Sequence, residues 1–78
     1  MKIIWYDGET YEGETAKEVV EKMARSSPFA HQGELFTYTL DVAKRCWKFG
    51  KPVRPWGYEM FLKDLKKYDI VKDLIVDE

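Results

Sequence analysis

The stretch "KIIWYDGETYE", residues 2–12, decides how the rest of the chain is read. Apolar and β-favouring residues flank Asp7-Gly8 on both sides, and that dipeptide supplies the positive φ angles of a type I′ turn. A β-hairpin is therefore expected. With a two-residue loop, Tyr6 faces Glu9, Trp5 faces Thr10 and Ile4 faces Tyr11, so Ile4, Tyr6 and Tyr11 share one face. Ile3 and Trp5 occupy the other. A half-exposed strand alternates apolar and polar residues, and this one does not. Cover on both faces is expected, from a helix, the chain's own tail or a second subunit.

Working outward, "TAKE" is a capping box with Thr15 as N-cap and Glu18 able to reach back to the Thr15 amide. Ala16, Val19, Val20, Met23 and Ala24 recur at helical spacing, and Ser26-Ser27-Pro28 stops the segment, which predicts a helix over 15–26. After the connection "PFAHQG", a second helix is expected from about Glu34 to Phe49. At 100° per residue its apolar face holds Leu35, Phe36, Thr39, Leu40, Val42, Ala43, Cys46 and Trp47. Gly50 provides a left-handed end and Pro52 forbids continuation. "KPVRP" (51–55) reads as extended, because each proline biases the residue before it away from helix. A third helix starts at Gly57, with Tyr58, Phe61, Leu62, Leu65 and Tyr68 on one face. The tail "IVKDLIVDE" (70–78) suits either a continued helix or a short strand at "LIV". The strand is favoured, since it would help cover the hairpin.

These elements predict a single α+β domain over residues 1–78: an N-terminal β-hairpin, three helices and a short C-terminal strand. The opening "WYDGETYEGETAKEVVEKM" (5–23) resembles small prokaryotic proteins with a DG hairpin, a YEG or FEG strand end and a first helix of the A-x-EVV-x-x-M type. Further on, "YTLDVAKR" (38–45) and "FLKDLKKYDIV" (61–71) broadly resemble a second and a third helix of that group. The resemblance supports the element order. It implies no activity.

Seventy-eight residues allow one modest core and no enclosed active-site cleft, which makes a binding module the default. With 45% hydrophobic and 15% aromatic residues, the chain buries enough apolar surface to fold. The chain has no Asn, Gln32 alone among amide side chains and 35% charged residues, a thermophile-like composition. The apolar run "IIWY" is far too short for a signal-peptide core or a membrane span, so a cytoplasmic location and no membrane partner are expected. The formal net charge of -1 hides an asymmetry: residues 1–40 carry four bases and seven acids, residues 41–78 nine and seven.

Catalytic and metal chemistry find little in the residues. His31 is the single histidine and no Cys, Asp or Glu stands at a spacing that would complete a metal shell with it. Cys46 has no base placed to activate it and falls on an apolar helix face. "DGETYEGETAKE" fails the calcium-loop pattern at its third and sixth positions, and "EGET" lacks the Lys and Ser or Thr of a phosphate loop. A non-enzyme without cofactor is expected.

Two surfaces remain. Ile3, Trp5 and Phe29 are candidate contacts with a protein partner, a second copy of the chain included, because an apolar edge hairpin is a liability for a monomer. "AKRCWKFGKPVRPWGY" (43–58) holds five basic and four aromatic residues and no acid. There Lys44, Arg45, Lys48, Lys51 and Arg54 are candidate phosphate contacts and Trp56 or Tyr58 a stacking platform for nucleic acid. The same stretch also reads as a helix end and a turn. Bases are favoured at a helix C-terminus without a partner, Asp41 is spaced to pair with Arg45, and Trp47 and Phe49 lie towards the apolar side. A module working through protein contacts is the favoured expectation, nucleic-acid binding the alternative.

Overall fold

The computed structural model describes residues 1–26 and 35–76. Its elements are β1 (Lys2–Ile4), β2 (Thr10–Glu12), α1 (Ala16–Ser26), α2 (Leu35–Lys48), α3 (Tyr58–Lys67) and β3 (Asp73–Ile75). The sheet has the order β2-β1-β3, both pairs antiparallel, so the tail forms a strand along the free edge of β1. The α+β fold expected from the sequence is the one observed.

The hairpin register differs by one residue from the type I′ expectation. Lys2 pairs with Glu12, Ile3 with Tyr11 and Ile4 with Thr10. A type I′ turn needs positive φ at both central residues, whereas in this loop Gly8 alone has it, at +92°. The Trp5 amide donates to the Glu9 carbonyl at 2.8 Å and the Gly8 amide to the Trp5 carbonyl at 3.1 Å. Tyr6, Asp7 and Gly8 thus form a three-residue loop, a tight turn closed by a left-handed glycine. The Asp7 carboxylate favours it by accepting the Glu9 amide at 2.9 Å. Replacing Gly8 with Val should cost about 1–2 kcal/mol, the penalty of a side chain at positive φ. Glu9→Val, already extended, should stay within about 0.5 kcal/mol. Equal melting temperatures for the two variants would refute the loop.

A one-residue slip exchanges the faces of a strand. Here it sets Ile3 at the centre of the sheet with Tyr11 and Leu74 as cross-strand neighbours, fully buried. Helices α1 and α3 pack together and against the sheet. Val19, Val20 and Met23 of α1 and Phe61, Leu62 and Leu65 of α3 join Ile3 in the core. The opposite face carries Ile4 and Ile75 among polar residues, and Ile75 is exposed. Among the described residues, the cover expected on both faces is present on one. At the edges, the Asp73 carboxylate accepts the Leu74 amide at 2.8 Å, and Lys22 Nζ donates to the Glu12 carbonyl. These contacts and the three-residue strand length blunt the edges against pairing with another chain.

Helix α1 begins as expected at Thr15, whose hydroxyl accepts the Glu18 amide at 3.2 Å. The reciprocal contact differs: the Glu18 carboxylate takes the Glu14 amide, at 3.2 Å, in place of that of Thr15. Tyr6 Oη in the hairpin loop donates to the Asp69 carboxylate beyond α3, which ties the hairpin loop to the end of α3.

A candidate interaction surface on the second helix and the strap

Helix α2 ends in a Schellman arrangement: the Lys51 amide donates to the Cys46 carbonyl and the Gly50 amide to the Trp47 carbonyl, each at 3.0 Å. Gly50 takes the left-handed conformation there, with φ +74°, as its place after the helix predicts. Residues 51–56 then run extended as a strap between α2 and α3. On the α2 side, Trp47 Nε1 donates to the Val53 carbonyl at 2.7 Å. The buried Thr39 hydroxyl lies 3.1 Å from the Pro55 carbonyl and 2.9 Å from that of Phe36, so its single proton serves both.

On the α3 side the anchor is Asp64, almost wholly buried, which accepts the Arg54 amide at 2.9 Å, Arg54 Nε at 2.8 Å and Arg54 Nη2 at 3.0 Å. These hydrogen bonds hold the Asp64 carboxyl below the usual carboxylate range, against the opposing effect of burial. The same pair raises the Arg54 guanidinium. Within the strap, Val53 and Pro55 are the buried side chains. Backbone, side chain and charge thus lock one short extended segment to two helices.

The fold divides the basic residues of 43–58 into three groups. Arg54 is paired with Asp64 and holds the strap, so its charge is already matched within the fold, with the side chain 48% exposed. Arg45 and Lys51 line a recess with Cys46, Phe49, Asp69 and Ile70. Arg45 also bears on Tyr38: burial, and then Tyr11, push that phenol up to about 12, and the Arg45 charge offsets part of the rise. Lys44 and Lys48 are exposed on the outer side of α2, one turn apart, and form no ion pair with a described residue. Cys46 is buried, and burial pushes its thiol up despite the nearby Lys51 charge. Expected phosphate contacts therefore point to different sides.

The hairpin contacts are also revised. Ile3 is fully buried and offers a partner nothing. Trp5 is half-buried, with an indole N–H that is enclosed and finds no acceptor among the described residues. Phe29, like His31, lies outside the described residues.

What reaches solvent instead is aromatic. Phe36 and Trp47 are each 41% exposed, and Trp56 is 65% exposed. Phe36, Leu40 and Trp47 follow one stripe of α2 at spacings of four and seven, with Leu40 half-buried between the two rings. Trp56 follows Pro55, whose carbonyl shares the Thr39 hydroxyl with that of Phe36, so the backbone of the strap reaches the first turns of α2 one residue before this exposed indole. Phe49, 79% exposed, belongs to the recess of Arg45 and Lys51. The buried face of α2 is Tyr38, Thr39, Ala43 and Cys46, turned away from the sequence expectation: Phe36 and Trp47, expected inside, lie outside, and Tyr38, not expected, lies inside. The signal was present in Thr39, Val42, Ala43 and Cys46, the small residues that let α2 approach its neighbours.

Among the described residues, no three His, Cys, Asp or Glu side chains are grouped to hold a metal ion, and no helix is long and apolar enough to cross a membrane. Comparison with protein-family models, with curated proteins and with solved structures finds no match.

Proposed function

We propose that this protein is a non-catalytic module that docks another protein on the ridge formed by Phe36, Leu40, Trp47 and Trp56. The observation that carries this reading is the exposure of three large rings along a surface whose backbone is fixed by Trp47, Thr39 and Asp64. Contiguous apolar surface on a small domain marks an interaction site, and aromatic residues are enriched at the centres of such sites. A fixed backbone lowers the ordering cost of binding, so the same rings yield more affinity than they would on a flexible loop. The nucleic-acid alternative keeps Trp56 as a stacking platform, but of the five bases Arg54 is paired with Asp64 and Arg45 and Lys51 line a recess with Asp69, which leaves Lys44 and Lys48.

A photo-reactive phenylalanine analogue installed at Phe36 or Trp56 tests the reading in cells. Irradiation should give the same discrete protein adduct from both positions and none from Lys17, exposed on α1. A partner of the chain's own mass would make the module a homodimer. Absence of a ridge-specific adduct, or a nucleic-acid adduct, would overturn the proposal.

A further inference from the structure

We infer that the ridge takes an acidic partner segment, in which apolar side chains meet Phe36, Trp47 and Trp56 while carboxylates meet Lys44 and Lys48. The inference rests on the proposed function and adds the chemistry of the partner. Lys44 and Lys48 stand one helical turn apart on the outward side of α2, at the flank of the stripe that runs through Phe36, Leu40 and Trp47. Neither has an ion-pair partner among the described residues. Asp41, half-buried, is the acid nearest to them in sequence, and the next acid along the chain is Glu59 in α3.

Docking on the rings would cover the aliphatic stems of both lysines and leave their ammonium groups at the rim. Rim charges choose partners through complementarity: carboxylates opposite them speed association and stabilise register, and cations opposite them repel. Polyanions fit less well, because the other bases of the stretch are on Asp64 or in the recess with Asp69. Two phosphate contacts release few counterions. The Trp47 N–H is already spent on Val53, so the ridge offers that indole as an apolar surface with its recognition charge supplied by the lysines.

The probe is a library of random dodecapeptides displayed on phage, selected on the intact protein and counter-selected on the Trp56→Ala variant. Enriched peptides should combine aromatic or large aliphatic residues with two or more Asp or Glu. The double variant Lys44→Glu, Lys48→Glu should weaken synthetic copies of them at least tenfold. Lys17→Glu should leave binding within twofold, and circular dichroism should show all variants folded. Enrichment of neutral or basic peptides, or no enrichment, overturns the inference, as does binding to oligo-dT or phosphatidylserine vesicles without acidic-peptide enrichment. If ridge adducts form in cells while the library disagrees, the acidic partner fails and the docking module stands; if neither appears, both fail.

Discussion

Phe61→Ala should lower the unfolding free energy by about 3–5 kcal/mol, the range for deleting a buried aromatic side chain and leaving its cavity. Phe61 is fully buried among Ile3, Val19, Leu62 and Leu65, where α3 meets the sheet and α1. A domain of 78 residues holds roughly 4–12 kcal/mol in all, so the loss is at least about a quarter of the total. Urea titration followed by circular dichroism measures the loss. Phe49→Ala, in an exposed position, is the control and should move the midpoint little. Comparable losses in the two would mean that the core is not centred on α3.

The second large effect is expected at Asp64. Asp64→Ala leaves the Arg54 amide and guanidinium without their acceptor and should cost about 2–3 kcal/mol, below the range for a fully buried pair because the guanidinium still reaches water. Asp64→Asn keeps the shape and removes the charge, which allows a pH test. The folded carboxyl is held below its ordinary value of about 3.9, so it binds a proton less readily folded than unfolded. Its contribution to stability is therefore complete above that ordinary value and is lost as pH falls through the lowered one. Wild type and Asp64→Asn should differ in urea midpoint near pH 7, hold that difference down to about pH 4, and converge only as the pH falls through the lowered value of the folded carboxyl. A gap that ignores pH would show that the carboxylate charge does not hold the strap. In either variant the Trp56 environment should change, since Arg54 is two residues away on the strap.

Elements with a local cause were readable in the sequence. Thr15 caps α1, Gly50 ends α2, and Ile3 and Tyr11 lie on either side of a turn signal, each within a few residues of the structure it fixes. The hairpin register was not, because Asp7-Gly8 serves both a two-residue loop and a three-residue loop with a single left-handed glycine. The Asp7 contact to the Glu9 amide favours the second. The orientation of α2 was legible only in its small residues, not in its large apolar ones. A helical wheel counts Phe36 and Trp47 as core because they are large and apolar, yet burial is set by what packs against the helix. Here the small side of Thr39, Ala43 and Cys46 is the side approached. Arg54 and Asp64 stand ten residues apart across a helix start, and no local pattern announces their pairing. That pairing, with the outward turn of α2, changes a run of bases and rings into an aromatic ridge with two lysines.

The position of β1 between its two partners has a mechanical consequence. Lys2 lies across from Ile75, so the chain enters β1 and leaves β3 at the same end of the sheet. Tension applied between residues 1 and 76 would load the β1–β3 ladder one rung at a time, starting at Lys2 and Ile75, where a shearing load would be shared by all rungs at once. Such a ladder unzips at low force, and β3 peels away from Lys2 first and then from Ile3. The strap's anchors to Trp47, Thr39 and Asp64 do not lie on that loaded path. The ridge would keep its shape while the sheet opened, so a pull on the two ends would yield at the seam and spare the grip.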